Sequence, residues 1–309
     1  MTTRIDVLVV ASLNMDHVVS VRELPAPGET VLASGRHLVL GGKGGNQAVA
    51  AARLGSRTAV VGGVGADEAG EQYLAGLAAE SIDTSGVAVW DDEHTGIAIV
   101  SVDDSGVNSI VVVPGANARI SPEQAVAAVR RSAPRVVVAQ LETPAAASAA
   151  AFAEGRVQGA ITILNPAPAA PLPDELLDVT DILVPNEVEF AQLTGRSSGT
   201  DDDLLAGSRP FLAKGVAAVV VTLGERGCAI VRDGVVRRMA AHRVPAVDTT
   251  AAGDSFIGAL AHAMGRSGRI DEESLERGCR TAIAVGALTV QRRGAQSSLP
   301  YAHELMEAL

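Results

Sequence analysis

Apolar, β-branched runs alternate with amphipathic or alanine-rich stretches along the whole chain. The runs predict strands over residues 5–13, 58–64, 97–102, 110–114, 135–141, 160–164, 182–185, 217–223 and 228–232. The stretches between them predict helices over 46–54, 68–80, 122–131, 144–154, 187–193, 202–214, 253–264, 272–290 and 301–309. Val136-Val137-Val138-Ala139 and Ala217-Ala218-Val219-Val220-Val221 are unbroken apolar runs. Such strands are buried on both faces, as in a mostly parallel sheet covered by helices.

Two regions break the alternation. Residues 17–40 and 87–113 hold strand-like pieces but no good helix, with turn signals at Asp91-Asp92 and Asp103-Asp104-Ser105-Gly106. Both suit a small β appendage packed on the main sheet. Residues 166–173 are rich in Pro and Ala and predict a loop. No internal repeat and no linker divides the chain, so a single α/β domain over residues 1–309 is expected.

Composition narrows the classes of function. The 309 residues include 25 Lys+Arg against 36 Asp+Glu, a net charge of −11, and 47% are hydrophobic. That is too apolar for disorder and long enough to bury a large core. The acidic balance argues against nucleic acid and anionic membrane surfaces, which want clustered Lys and Arg. With 4 Phe, 1 Trp and 2 Tyr, base-stacking platforms are also disfavoured. The apolar segment 7–13 runs directly into Asn14 and Asp16, unlike a signal peptide, and no run is long enough to span a bilayer. Cys228 and Cys279 have no paired motif spacing, which points to reduced thiols and a cytoplasmic location. Lys43 and Lys214 are the two lysines in a chain whose other basic residues are arginine.

Several segments carry candidate chemistry. In Gly41-Gly42-Lys43-Gly44-Gly45-Asn46-Gln47, four glycines surround one lysine ahead of an alanine-rich helix. Such a backbone can approach a ligand closely, and the helix N-terminus favours anionic or hydroxyl-rich groups. Neither the P-loop nor the dinucleotide glycine spacing is present, and a flexible turn before a helix is the lesser alternative for this segment. In Asp248-Thr249-Thr250-Ala251-Ala252-Gly253-Asp254-Ser255-Phe256, Asp254 falls in the first turn of a helix. There it lies beside backbone N–H groups of Ala251 to Asp254 that can form an anion hole. A carboxylate so placed can act as base on a hydroxyl that attacks an anion held there, or can simply be a helix-start acid. Asn186 with Glu189 resembles a capping box, and Gly224 and Gly227 mark a tight turn. Asn14, Asp16 and Glu142 follow predicted strands, at the end where α/β sheets bind ligands.

Together, and in this order, these segments closely resemble the ribokinase family of carbohydrate kinases. Segment 41–47 matches the family's N-terminal signature and segment 248–256 its C-terminal one. Segments 12–16, 27–30, 115–117, 140–144, 165–167 and 294–296 extend the resemblance over nearly the whole chain. It implies a ribokinase-like, doubly wound three-layer α/β sandwich with a small β-sheet lid, whose strands would come from about 17–40 and 87–113. It implies ATP-dependent phosphorylation of D-ribose at its 5-hydroxyl. Asp254 matches the catalytic base, with Ala251, Ala252 and Gly253 in the anion hole. Asn14, Asp16, Gly42, Lys43, Gly44, Gly45, Asn46 and Glu142 match sugar-contacting positions. Asn186, Thr222, Gly224, Gly227 and Gly253 match nucleotide-contacting ones, and Glu189 the acid associated with Mg²⁺. Asp248, Thr250, Thr289, Arg292, Gly294 and Ser298 match a K⁺ site, several through backbone carbonyls. Gly45 stands where the family usually has Ala, and Ser255 where Thr is frequent. The lid further implies a homodimer.

Three rivals stay open on the sequence. One is a nucleoside kinase of the same family, disfavoured because the two lid stretches contain only Trp90 as an aromatic face. Another is a kinase for a different sugar, such as deoxyribose or fructose. The third is a non-catalytic sugar-binding protein, which would be expected to have lost Gly253 or Asp254, and both are present.

Overall fold

The computed structural model describes residues 4–308. Leu309, the end of the last predicted helix, lies outside the described residues. A nine-stranded sheet and a four-stranded sheet organise the chain. The large sheet takes β1 (Val7–Val10), β4 (Thr58–Gly65), β5 (Asp83–Trp90), β8 (Val136–Ala139), β9 (Ile161–Leu164), β10 (Ile182–Leu183), β11 (Ala218–Thr222), β12 (Cys228–Arg232) and β13 (Val235–Met239). Their order is β13-β12-β11-β10-β9-β8-β1-β4-β5. All neighbours are parallel except at β12, which runs antiparallel to both β11 and β13.

β1 is the switch point. The chain moves from β1 to β4 and β5 at one edge, then returns to β8 on the other side of β1. Right-handed crossovers that reverse direction must place their helices on opposite faces. The core divides accordingly, because successive strand residues point to opposite faces. Val7 and Val9 join one apolar cluster with α1 (Lys43–Arg53), α2 (Glu68–Ala79), α8 (Ala252–Ser267) and α9 (Glu272–Thr289). Leu8 and Val10 join the other with α3 (Pro122–Ser132), α4 (Ala145–Val157), α5 (Asp174–Leu177), α6 (Glu187–Thr194) and α7 (Asp201–Ala213). The last helix, α10 (Ala302–Ala308), packs Leu305 against the first cluster.

The small sheet, in the order β3-β2-β6-β7, is built from β2 (Asn14–Ser20), β3 (Gly35–Gly41), β6 (Gly96–Val102) and β7 (Asn108–Val113). The expected lid stretch 87–113 is therefore corrected at its start. Residues 87–90 complete β5, whose Val87 to Trp90 pair in register with Gly62 to Gly65 of β4 in the large sheet. The predicted strand 5–13 is also divided. β1 ends at Val10, and the chain crosses to the small sheet through Ala11 to Leu13. All of these residues are buried, so burial continues although the sheet does not.

Helix α1 begins three residues earlier than the sequence predicts, because distant groups cap it. Ser12 accepts the Gly45 N–H at its carbonyl (3.0 Å) and the Gly44 N–H at its hydroxyl (3.1 Å). Glu142 accepts the Lys43 N–H (3.1 Å). Strand β13 was not predicted, its residues being largely exposed. Cys228 and Cys279, unrelated by sequence spacing, meet in the core as free thiols, and the Cys228 contact together with burial pushes the Cys279 thiol well up. Among the described residues, no helix is long and apolar enough to cross a membrane.

Candidate active site

The predicted residues gather over the C-terminal ends of the parallel strands around β1, the position where sheets of this type bind ligands. Two helices point their N-termini there. Gly42 caps α1 with φ +81, a left-handed value that suits glycine, and a Cβ at this position would lie 2.7 Å from the Ser12 carbonyl oxygen. Gly258 of α8 lies against α1, where a Cβ would meet Gln47 O at 2.6 Å. Its missing side chain lets the two helices run side by side, and Asp254, one turn earlier, falls next to the start of α1.

There the carboxylate of Asp254 accepts two amide donors, Asn46 Nδ2 on Oδ2 (2.9 Å) and Gln47 Nε2 on Oδ1 (3.0 Å). Gln47 Nε2 also donates to Asn165 Oδ1 (3.2 Å), and Gln47 Oε1 accepts from Gln140 Nε2 (2.6 Å). Asn165 in turn donates to the Val184 carbonyl (3.0 Å). A buried amide chain thus orients Asp254 from the ends of β8, β9 and β10. Burial pushes the Asp254 carboxyl up, and Lys43, Asn46 and Gln47 only partly oppose this.

Ala251 holds a left-handed conformation (φ 58) immediately before the helix, a strained setting for a residue with a Cβ. Ala252 N–H donates to the Thr249 carbonyl at 3.2 Å, so it already has an acceptor. The N–H groups of Gly253 and Asp254 have no acceptor among the described residues. Of the expected anion-hole N–H groups of Ala251 to Asp254, that of Ala252 is therefore engaged within the turn. A Cβ on Gly253 would meet nothing within 4 Å, so this turn faces open space.

A cavity of about 210 Å³ joins Lys43, Asn186, Glu189, Thr222 and residues 251–254. Asn186 and Glu189 do form a capping box at the start of α6, with Asn186 N donating to Glu189 Oε2 (2.8 Å) and Asn186 Nδ2 to Oε1 (2.9 Å). Burial raises the Glu189 pKa. Gly224 and Gly227 form the β11–β12 turn with φ 55 and 92, and a Cβ on Gly227 would strike the backbone of Met239. Met239 and Ala240 are shared with a larger cavity of about 840 Å³ between β13 and α9, which Ile283 and His242 also line.

On the small-sheet side, Asn14 is buried, and its Oδ1 accepts from Asn117 Nδ2 (2.7 Å). Asn117 also accepts the Leu13 N–H (2.8 Å) and so holds the crossover between the sheets. Ser12 Oγ donates to Glu142 Oε2 (2.6 Å). Asp16 lies against Gly41, and its buried Oδ1 has no hydrogen-bond partner among the described residues. Burial, with Glu142 and Asp254 nearby, pushes the Asp16 carboxyl up to about 7. Burial disfavours charge on Lys43, but Asp254, Glu142, Glu189 and Asp16 outweigh it and raise the Lys43 pKa.

The remaining predicted residues form a second group beside α8. Asp248 Oδ2 accepts the Gly294 N–H (2.9 Å) and Oδ1 the Thr250 N–H (2.9 Å). Burial raises its pKa, but these donors outweigh it and hold the carboxyl below its usual range. Thr289 and Ser298 are fully buried. The Arg292 guanidinium pairs with Glu304 of α10, so its side chain turns away from this group. Among the described residues, no cluster of three or more His, Cys, Asp or Glu is arranged to hold a metal ion.

Ser12, Gln47, Asn117, Gln140 and Asn165 carry much of this geometry but were not singled out from the sequence. Each lies within a segment already matched to the family signature, directly after a strand or at a helix start, and that position was the available signal.

Comparison with known proteins places the chain. The pfkB family carbohydrate kinase model matches residues 4–302. A ribokinase of Haemophilus influenzae is 38% identical over 306 residues, covering 97% of each chain. A deoxyribokinase of Salmonella typhi is 35% identical over 315 residues, covering 98% of each. The structure of Arabidopsis thaliana ribokinase complexed with ribose and ATP superimposes with a TM-score of 0.88 at 32% identity, covering 99% of each chain.

Two outcomes test the electrostatics. A folded carboxyl near 7 against 3.8 unfolded favours folding at low pH, and that advantage is lost as pH rises through about 7. Asp16→Asn therefore gains thermal stability relative to the parent as pH rises from about 4 to 8, by roughly 4 kcal/mol at full ionisation. A pH-independent difference between the two melting curves would count against this. Gln47→Leu removes a donor that lowers the Asp254 pKa, so the acidic limb of kcat/KM moves to higher pH as kcat falls about 10-fold or more. An unmoved limb would remove Gln47 from any role in tuning Asp254.

Proposed function

The chain belongs to the pfkB family of carbohydrate kinases, and from that premise we propose that its site carries out ATP-dependent phosphorylation of D-ribose at the 5-hydroxyl. The observation that carries the reading is Asp254 in the first turn of α8. Its carboxylate is held by two amides, and two free backbone N–H groups lie beside it. Asp254 accepts the proton of the attacking hydroxyl. The N–H groups of Gly253 and Asp254 take up negative charge on the transferring phosphoryl group, where a helix N-terminus adds a favourable field. Little covalent chemistry is asked of the protein, so positioning and charge stabilisation supply most of the rate.

Neutral sugar hydroxyls suit the other side of the site. Asp16, with an unpartnered buried oxygen, and Glu142 offer acceptors, while Lys43 and Asn46 offer donors. The surplus of carboxylates disfavours a sugar already phosphorylated. The nucleotide's phosphates lie in the smaller cavity, along Asn186 and Thr222. Its nucleoside end passes the Gly224–Gly227 turn to the larger cavity at Met239 and Ala240, which has the volume for it.

Glu189 fits a magnesium role. It is a buried acid in the phosphate cavity, and each carboxylate oxygen accepts one hydrogen bond and keeps a second lone pair. Magnesium, when bound, offsets charge on the nucleotide phosphates. Potassium is proposed at Asp248 and Thr250 with backbone carbonyls of Thr289, Arg292 and Gly294 and with Ser298. The Asp248–Gly294 bond, which draws the two segments together, supports this.

A homodimer through the lid is proposed from its apolar face. Leu38, Ile99 and Val111 form one cross-strand row with His17, and are 44%, 46% and 59% exposed. Sedimentation as a monomer at micromolar concentration would count against it.

Assays with ATP and ribose, 2-deoxyribose, fructose or adenosine test the substrate. Ribose is expected to give the highest kcat/KM, and a better acceptor would replace it. Asp254→Asn is expected to lower kcat by about 10²–10⁴-fold while ribose still binds by calorimetry. Near-normal turnover would take the base role away from Asp254. Repeating the assay in potassium, sodium and a bulky organic cation is expected to show potassium fastest, and equal rates would reject the cation site.

A further inference from the structure

We propose that Tyr73 is a positioning residue for the sugar site: its hydroxyl ties the 41–45 loop to the segment carrying Gln296. Tyr73 lies on α2, far in sequence from both, and is fully buried. Its hydroxyl donates to the Gly41 carbonyl and accepts from Gln296 Nε2 at 3.1 Å. Phenylalanine would fill the same apolar space, and burying a hydroxyl is costly unless it is bonded. The part of Tyr73 that needs explaining is therefore its oxygen, and that oxygen is spent on joining two segments.

Gly45 supplies a second, independent observation. A Cβ at Gly45 would overlap the Tyr73 hydroxyl oxygen. The hydroxyl thus occupies the space that a side chain at position 45 would need, in the first turn of α1. It also fixes the carbonyl of Gly41, whose Cα lies against the carboxylate of Asp16. On the far side, Gln296 is two residues from Gly294, which donates to Asp248. A shift of Gly41 or of the 294–298 segment is passed through one oxygen atom to the other. Burial keeps the phenol protonated, so the donor on Gly41 is retained across the working pH range.

The inference rests on the 41–45 loop being the sugar side of the site. It is therefore measured with whichever acceptor the parent enzyme uses best. A wrong choice of sugar shows in the parent alone, and a wrong role for Tyr73 shows only in the variants. Tyr73→Phe keeps the ring and is expected to raise the sugar KM by between about fivefold and a hundredfold, with the ATP KM within about twofold of the parent. Gly45→Ala is expected to raise the sugar KM in the parent background but to change it less than about twofold in the Tyr73→Val background, where the oxygen is gone. A Tyr73→Phe enzyme that melts earlier but keeps its sugar KM would reduce the residue to core filling and overturn the proposal. So would a parallel rise in both KM values, or an equal cost of Gly45→Ala in the two backgrounds.

Discussion

The contact between the first turns of α1 and α8 is the constraint on which the site depends. Asp254 can be a base only where something holds its carboxylate, and Asn46 and Gln47 do so from the neighbouring helix. That contact needs the helices to approach closely, which Gly258 against Ala50 and Gln47 permits. It also sets two positive helix ends side by side, one facing the glycine loop and one facing the 251–254 turn. A side chain at position 258 would push the helices apart and separate Asp254 from both amides. The buried chain through Gln140 and Asn165 then anchors this contact to the strands beneath.

Charge at the site is arranged around a deficit. Asp16, Glu142, Glu189 and Asp254 surround the single ammonium of Lys43. Burial raises three of these acids, Asp16 to about 7, and Lys43 opposes the rise in each only in part. The net charge of −11 is no obstacle to an anionic nucleotide, since backbone dipoles at helix N-termini can hold an anion locally without a basic surface.

Much of this was legible in the residue pattern. The apolar runs of β8 and β11 have their expected burial, and the two signature segments lie together through Asn46, Gln47 and Asp254. The capping box at Asn186 and Glu189 formed, and Glu189 faces the cavity as well. What misled was burial without direction. Residues 7–13 are apolar but for Ser12, yet Val10 ends one strand and Asn14 begins another in a different sheet. Residues 87–90 are strand-like, as predicted, but their hydrogen bonds go to β4, not to the lid. Hydrophobicity reports that a residue leaves water, not which neighbour its backbone pairs with.

The sequence alone determined the alternation of strands and helices, the two signature segments and the placing of Asp254 in the first turn of a helix. These follow from local periodicity and from residue types that the chemistry requires. Only the tertiary structure decided that Ser12 and Glu142 cap α1, that Asn117 clamps the crossover, that Ala252 has spent its N–H, and that Tyr73 fills the space beside Gly45. All but the Ala252 bond, which closes a local turn on Thr249, are contacts whose partner is absent from the residue's local pattern. Such interactions have angstrom tolerances, and those tolerances are set by the packing of both layers against the sheet.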